Sequence, residues 1–195
     1  MSMQIKKPLS NQPLPENAKK VFKGVIFDVY QWDLPGYDGK MRTFEKVKRP
    51  DTAMVIAVTE DGKIILGREE QPGKESSLGL VGGRIDEGED PLGAAKRELL
   101  EETGYEGKEW ALFDAFQPVS KMEWVIYTFI AKGCHKVAEQ DLDGAEKIDL
   151  LLVSFDEFVE MILRNELDEK ELKIRFLEAK LDPAKMAEIK QQFGL

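Results

Sequence analysis

Glu98, Glu101 and Glu102 are spaced i, i+3 and i+4, so their side chains share one face of a helix. Like charges at this spacing repel by about 0.2–0.5 kcal/mol per pair. A divalent cation would convert the repulsion into coordination, because hard cations such as Mg²⁺ take oxygen ligands and bridge to phosphates. The spacing therefore predicts a carboxylate metal site that acts on a phosphate compound.

A helix beginning at Asp90 and Pro91 and ending at Gly104 is the element that must position these glutamates. Asp is a preferred N-cap, Pro suits the first helical position, and Gly ends helices. The apolar positions form a neighbouring stripe, made by Leu92, Ala95 and Leu99. We expect this stripe to pack on a sheet while the carboxylate edge lines a cleft.

The segment before the helix is rich in glycine. Gly82 and Gly83 would let the backbone approach a ligand closely, because neither has a Cβ. Glu89 precedes the helix and Arg97 lies on it, and we expect a salt bridge between them to fix the loop to the helix. A single Glu pair on a helix is more often solvated surface. The combined pattern over residues 83–105 is too specific for that reading.

The segment resembles the Nudix box, G-x5-E-x7-R-E-U-x-E-E-x-G-U, in which U is a bulky apolar residue. The matching residues are Gly83, Glu89, Arg97, Glu98, Leu99, Glu101, Glu102 and Gly104. Tyr105 departs from the pattern, because an aliphatic residue is usual there. The resemblance implies an α+β protein with the Nudix fold, an α/β/α sandwich around a mixed sheet.

The same resemblance implies the metal site and part of the catalytic machinery. Glu98 and Glu102 would be the principal ligands of Mg²⁺ or Mn²⁺, with Glu101 assisting and the backbone carbonyl of Gly82 adding a ligand. Glu101 and Arg97 are therefore also candidate catalytic residues. The implied reaction is hydrolysis of the diphosphate bond in a nucleoside-diphosphate compound.

Residues 23–29 and 49–51 resemble the ADP-ribose and nucleotide-sugar pyrophosphatase subgroup, in which N-terminal strands help to form a homodimer. Phe27, Tyr30 and Trp32 are candidates to stack on the base, although aromatic residues of a strand equally often only pack. The implied reaction with ADP-ribose would yield AMP and ribose 5-phosphate. Pro118 lies thirteen residues beyond Tyr105 rather than about fifteen, a departure from the subgroup that leaves the substrate open.

Arg68 is a candidate for contacting a substrate phosphate, with a surface role equally open, and Arg84 is a further candidate for binding the substrate. The general base is expected in the acidic segment 139–146. Glu146 is the first choice and Glu139 the alternative. Other nucleotides remain open as substrates, namely a nucleoside triphosphate, a dinucleoside polyphosphate or GDP-mannose. A non-catalytic nucleotide-binding module is the alternative from another class, and it is disfavoured by the intact box.

The order of strands and helices indicates three segments. Residues 1–17 are expected to be a flexible tail, 18–50 an N-terminal β element, and 51–195 the Nudix domain with C-terminal helices. Within the last segment, residues 71–77 are predicted as a loop. A capping box at Ser154 and Glu157 predicts a helix start, as does Asp182 before Pro183.

Composition limits partners and compartment. The net charge of −9 argues against binding nucleic acid or an anionic membrane, and no segment has the apolar length of a membrane span. One cysteine, Cys134, and one histidine, His135, allow neither an intrachain disulfide nor a Cys/His zinc site. A reducing cytoplasm is the default compartment.

Overall fold

The computed structural model describes residues 5–167 and 169–195. Its strands, in chain order, are β1 Lys19–Lys23, β2 Asp28–Pro35, β3 Met41–Lys48, β4 Thr52–Thr59, β5 Ile64–Gln71, β6 Lys74–Gly79, β7 Val81–Arg84, β8 Tyr105–Glu106, β9 Glu109–Phe116, β10 Met122–Glu123, β11 Ile126–Lys136 and β12 Lys147–Val153. Its helices are α1 Pro91–Thr103, α2 Phe155–Leu163, α3 Lys170–Leu181 and α4 Pro183–Phe193.

The main sheet is mixed and is built on β4, β5 and β11. Its central order is β12-β5-β4-β11-β8, with β6 paired to β5, β7 to β4 and β9 to β11. Strand β11 runs parallel to β4, whereas the pairs β4·β5 and β5·β12 are antiparallel. This arrangement brings β5 and β7 to the side of the sheet where α1 begins.

Side chains of β4 alternate between two cores. Ala53, Val55 and Ala57 pack with Ala95 and Leu99 of α1. Met54, Ile56 and Val58 face the other way, toward buried side chains of the C-terminal helices such as Phe158, Phe176 and Phe193. Alternate residues of a strand point to opposite faces, so one fully apolar strand serves both layers. The expected α/β/α sandwich is confirmed.

Helix α1 has the predicted ends. The Asp90 carboxylate accepts hydrogen bonds from the amides of Leu92 and Gly93, and Pro91 opens the helix. Gly104 closes it in the left-handed conformation, with φ of 74°. Helix α2 begins at the capping box of Ser154 and Glu157, as the sequence predicted.

One prediction along the sheet was wrong. Residues 71–77, expected as a loop, contain only a two-residue turn before β6 begins at Lys74. Strand β6 pairs antiparallel with β5, so the two strands form a hairpin. The sequence did not indicate this strand, because its first residues are polar and exposed and show no alternation of apolar and polar side chains.

Strands β1, β2 and β3 form a separate sheet, which β10 from the main body joins in parallel to β3. Lys46 of β3 is buried, and its ammonium donates to the Ser10 hydroxyl, the Gln12 carbonyl and the Glu123 carboxylate at 3.0, 2.7 and 2.6 Å. A buried charge needs such partners. This contact joins the N-terminal sheet to the main body.

Part of the expected N-terminal tail is held by the same region. Residues 5–17 form no helix or strand, but Ile5 packs against the core beside α1 and Lys7 pairs with Asp51 at 2.8 Å. These contacts are those of an anchored segment rather than of a free tail. Residues 1–4 of the expected tail lie outside the described residues.

Within the described part of the chain, none of the helices combines the length and apolar character needed to span a bilayer.

Candidate active site

A cleft of about 760 Å³ opens where β5, β7, α1 and the loop before β12 meet. This volume lies within the range of pockets that bury small-molecule ligands. Acidic residues from three of these elements line it, namely Glu69, Glu98, Glu101, Glu102, Asp143 and Glu146. The helix therefore presents its predicted carboxylate edge to a concave site and not to open solvent.

Glu102 lies deepest in contact with the backbone of β7. Its carboxylate accepts a hydrogen bond of 2.8 Å from the Gly82 amide. Burial, together with the negative charges of Glu98, Glu146 and Glu69, raises the pKa of Glu102 to about 8. Gly82 has a φ of 144°, and a Cβ there would overlap the carbonyl oxygen of Ala53. Only glycine fits this close approach.

Glu98 packs directly on the backbone of Gly83. A Cβ at Gly83 would lie 2.5 Å from Glu98 Oε1, so the second glycine makes room for this carboxylate. Burial raises the pKa of Glu98, whereas the neighbouring Arg97 guanidinium lowers it. Gly83 therefore accommodates the Glu98 carboxylate, whereas Gly82 lies close to β4 and donates its amide to Glu102.

Arg97 connects the loop before the helix with the carboxylate cluster. Its guanidinium forms the expected salt bridge with Glu89, and it also donates to Glu98 Oε1 at 2.8 Å and to Glu101 Oε2 at 3.0 Å. The charge of Arg97 lowers the pKa of the Glu89 carboxyl. The arginine therefore orients two candidate ligands rather than facing the open cleft alone.

The donor set fits a hard divalent cation. Its atoms are carboxylate oxygens, which Mg²⁺ and Mn²⁺ prefer. Burial and mutual repulsion raise the pKa values of Glu98 and Glu102, which marks a cluster short of positive charge. Among the described residues, no three acidic, His or Cys side chains already converge on one point. Arg97 draws Glu98 and Glu101 to itself, while Glu102 turns toward Gly82.

The two candidate bases lie in different environments. Glu146 lines the cleft, where burial and the charges of Asp143 and Glu69 raise its pKa. Glu139 is exposed and pairs with Lys136 at 3.0 Å. The geometry therefore favours Glu146 as the base and leaves Glu139 at the surface.

The structure does not bring two of the candidate substrate residues to the cleft. Arg68 lies in a separate depression beside Met161 and Asn165. Strand β5 continues to Gln71, and because successive side chains of a strand point to opposite faces, Arg68 points away from the face that carries Glu69. Trp32 is only 5% exposed and stacks on Phe44, with ring centroids 6.2 Å apart. A buried ring offers no free face to a base, so both expectations are corrected.

The other two candidates lie at the cleft or near it. Arg84 lines it, with an exposed side chain that pairs with Asp86 at 3.4 Å. Phe27 is exposed and lies against Arg49, whose Cζ is 5.8 Å from the ring centroid. Of Arg68, Trp32, Arg84 and Phe27, the last two are therefore the ones that a bound ligand could reach.

Arg49 is a cleft residue that the sequence analysis did not select. Its guanidinium is held over Trp124, with Cζ 4.4 Å from the ring centroid, and next to Phe27. Its Nε is buried and has no hydrogen-bond partner among the described residues, and burial lowers the pKa of the side chain. Residues 49–51 had been recognised only by their resemblance to the ADP-ribose pyrophosphatase subgroup. Trp124 lies 75 positions further along the chain, so no local sequence pattern predicts that it contacts Arg49.

Glu69 and Gln71 were also missed. Both line the cleft from the same face of β5. Strand β5 continues to Gln71, and its alternation places both side chains on the cleft face. Extending that alternation through Gln71 would have found them.

Comparison with known proteins agrees with this geometry. A family model described as the NUDIX domain matches residues 48–176. The chain is 29% identical over 152 residues to an ADP-ribose pyrophosphatase of Bacillus subtilis (strain 168), which covers 76% of this chain and 82% of the relative. It is 32% identical over 149 residues to a methanol dehydrogenase activator of Bacillus methanolicus, covering 74% and 80% respectively.

A crystal structure of an ADP compounds hydrolase has the same fold, with a TM-score of 0.66 and 21% identity over 94% of this chain and 98% of that one. The chain therefore belongs to the Nudix family, and it is a Nudix hydrolase. Within that family it is similar to the ADP-ribose pyrophosphatase of Bacillus subtilis, as the motif resemblance implied.

Proposed function

We propose that this enzyme hydrolyses the diphosphate bond of a nucleoside diphosphate joined to a sugar, with ADP-ribose as substrate and AMP and ribose 5-phosphate as products. One observation carries the proposal. The cleft has a wall of carboxylates suited to a metal–diphosphate complex, and an arginine held between two aromatic rings lines the same cleft. The similarity to an ADP-ribose pyrophosphatase supports the choice of sugar.

Glu98, Glu101 and Glu102 would hold Mg²⁺ or Mn²⁺, with the Gly82 carbonyl as a further ligand. When bound, the metal would neutralise charge on the diphosphate and lower the pKa of a coordinated water. Arg97 orients Glu98 and Glu101 by donating to one oxygen of each. The second oxygen of each carboxylate stays available for the metal or for a coordinated water.

Glu146 would take the proton from the attacking water. Its position on the cleft wall, opposite the helix, supports this role. Its raised pKa makes it a stronger base than an exposed carboxylate, and a base with a pKa closer to neutrality transfers protons more efficiently. The water attacks one phosphorus, and the phosphate on the other side of the bridging oxygen leaves.

Arg49 would bind the anionic or nucleobase portion of the substrate. In the part of the chain that the structure describes, its buried Nε has no hydrogen-bond partner, and a ligand could engage the guanidinium at the cleft. The flanking rings of Trp124 and Phe27 hold the planar group by cation–π contacts. Arg84, on the same cleft, is a second candidate for a phosphate oxygen.

We also propose that the N-terminal sheet forms a homodimer. Large apolar side chains are exposed around β1 and the turn after it, namely Val21, Phe22, Val25, Ile26 and Phe27. Contiguous exposed apolar surface of this kind marks an association site. Sedimentation of wild type and Phe22→Glu tests this, with a shift to monomer expected for the variant.

The buried free thiol of Cys134 suits a reducing cytoplasm, the proposed compartment.

The test of the activity is a panel of ADP-ribose, other nucleotide sugars, NADH, GDP-mannose, a dinucleoside polyphosphate and nucleoside triphosphates, assayed with Mg²⁺ and with EDTA. We expect AMP and ribose 5-phosphate from ADP-ribose, at the highest kcat/KM, and no turnover in EDTA. Glu102→Gln serves as the inactive control. If a nucleoside triphosphate has a higher kcat/KM than ADP-ribose, the triphosphate is the substrate and the proposal is wrong. Binding of a nucleotide without turnover of any compound would indicate a nucleotide-binding module.

A further inference from the structure

A second, smaller cavity opens beside the cleft, beneath the β5–β6 hairpin. Its volume is about 260 Å³, and it shares Glu69, Gly82 and Glu102 with the cleft. We call it the hairpin cavity, lined among others by Gly67, Glu69, Lys74, Ser77, Gly79 and Ile148. A ligand anchored at Glu102 therefore has two spaces into which its two ends can extend.

Two glycines that face each other across the hairpin leave this space open. Gly67 of β5 is the register partner of Gly79 of β6. A Cβ at Gly67 would lie 3.0 Å from Ile148 Cγ2, and one at Gly79 would lie 3.7 Å from Glu169 Oε1, both atoms of residues that line the cavity. Neither glycine has a positive φ, so backbone strain does not require them. What they provide is volume.

The same register places hydrogen-bonding side chains at the mouth of the cavity. Glu69 is the register partner of Ser77, and directly opposed residues project from the same face of a sheet. Lys74 reaches Glu69 with its ammonium, 3.0 Å from the carboxylate. A carboxylate that accepts, an ammonium that donates and a hydroxyl that does both are the groups that recognise the hydroxyls of a sugar.

Size and position limit what this cavity holds. At about 260 Å³ it is smaller than pockets that enclose a drug-sized ligand, which are roughly 300–1,000 Å³. A single sugar fits such a volume. Gly82 and Glu102, which would hold the metal and with it the diphosphate, form the boundary with the main cleft.

We propose that the hairpin cavity is the subsite for the terminal sugar of the substrate, with Glu69, Lys74 and Ser77 as its hydrogen-bonding groups. This inference rests on the proposed function, because it assumes a diphosphate held at Glu98 and Glu102. The nucleoside end then extends along the main cleft toward Arg49, and the terminal sugar extends beneath the hairpin. The hydrogen-bonding groups and the limited volume of the cavity suit one small terminal sugar.

The test compares two substrates that differ only in the terminal group. ADP-ribose fills the hairpin cavity, whereas the β-methyl ester of ADP keeps the diphosphate linkage but has no second sugar. Gly79→Ala places a methyl group in the cavity without a steric clash, and Lys74→Met removes the ammonium from an exposed position. We expect each variant to raise the KM for ADP-ribose about tenfold and to leave that of the ester unchanged.

Lys147→Met is the matched control, because Lys147 is an exposed lysine of the adjoining strand β12 that lines neither cavity. We expect it to change neither KM. Equal shifts for both substrates, or an unchanged KM for ADP-ribose in both variants, would overturn the subsite while leaving the proposed hydrolysis intact. A wild-type enzyme that cleaves neither compound with Mg²⁺ would overturn the proposed function and this inference together.

Discussion

Arg97 donates hydrogen bonds to both carboxylate oxygens of Glu89, with Nε 3.0 Å from Oε1 and Nη2 3.0 Å from Oε2. Its remaining donors reach the Arg84 carbonyl, Glu98 and Glu101. A guanidinium has five N–H groups, and all five therefore have acceptors here. The loop preceding α1, the end of β7 and two candidate metal ligands are fixed by one side chain.

Replacing Arg97 by Lys should lower the free energy of unfolding by about 1–3 kcal/mol, because an ammonium cannot reproduce the two parallel bonds to Glu89. Urea denaturation measures the change. Arg164→Lys is the control, since Arg164 is exposed and its guanidinium pairs with Glu160 at 3.6 Å. Equal destabilisation of both variants would contradict a special role for the Glu89 contact.

The pKa of Glu102 predicts how the metal-free protein responds to pH. The folded state keeps this carboxyl protonated up to about pH 8, whereas the ordinary value is 4.5. Between these values the folded state holds more protons than the unfolded state, so stability falls as pH rises. The melting temperature in EDTA should decrease over this range, and the raised pKa values of Glu98 and Glu146 act in the same direction.

The matching control is Glu102→Gln, which cannot ionise at that position and should flatten the pH dependence. Added Mg²⁺ should restore wild-type stability at pH 8 and release protons on binding, detectable by calorimetry in buffers of different ionisation enthalpy. A melting temperature in EDTA that rises steadily from pH 5 to 8 would be inconsistent with the raised pKa.

Glu146→Gln tests the base. We expect kcat to fall by about 10²–10⁴, with little change in the affinity for Mn²⁺ measured by titration, because the amide keeps its size but cannot accept the proton. Glu139→Gln, an equivalent change on the exposed side of the same segment, should leave kcat unaltered. If the Glu139 variant is the slower of the two, the assignment must be reversed.

Arg49→Met tests the arginine between the rings. We expect kcat/KM for ADP-ribose to fall about 10–100-fold, because a hydrogen-bonded charge on the substrate loses its partner. Arg42→Met removes an exposed arginine that pairs with Asp38, and it should have no effect. Identical kinetics for the two variants would place the substrate elsewhere in the cleft.

Local sequence signals predicted much of the fold. The ends of α1 were predicted to the residue, because Asp90, Pro91 and Gly104 act within the helix itself. Helix α3 was not distinguished, since its N-cap Glu169 makes no side-chain cap and no breaker residue precedes it. A helix held mainly by packing, through Leu172 and Phe176, leaves a weaker trace in the sequence.

The residues of the candidate site that were predicted correctly from the sequence are mainly those of helix α1. Glu98, Glu101, Glu102 and Arg97 lie together because helical spacing is local. Residues contributed by other elements depended on register and topology. Arg68 was a candidate, but its neighbour Glu69 lines the cleft, because successive residues of a strand point to opposite faces. Arg49 meets Trp124 only after β3 and β10 are paired.

The contact between Trp124 and Arg49 gives the protein an optical reporter of its own cleft. Trp124 donates from its indole nitrogen to the Thr52 hydroxyl at 3.0 Å, so the ring is fixed while the guanidinium above it lines the cleft. The other two tryptophans lie elsewhere, Trp32 beside Phe44 and Trp110 near Lys96. With both changed to phenylalanine, emission from the remaining indole would follow nucleotide occupancy without any attached dye.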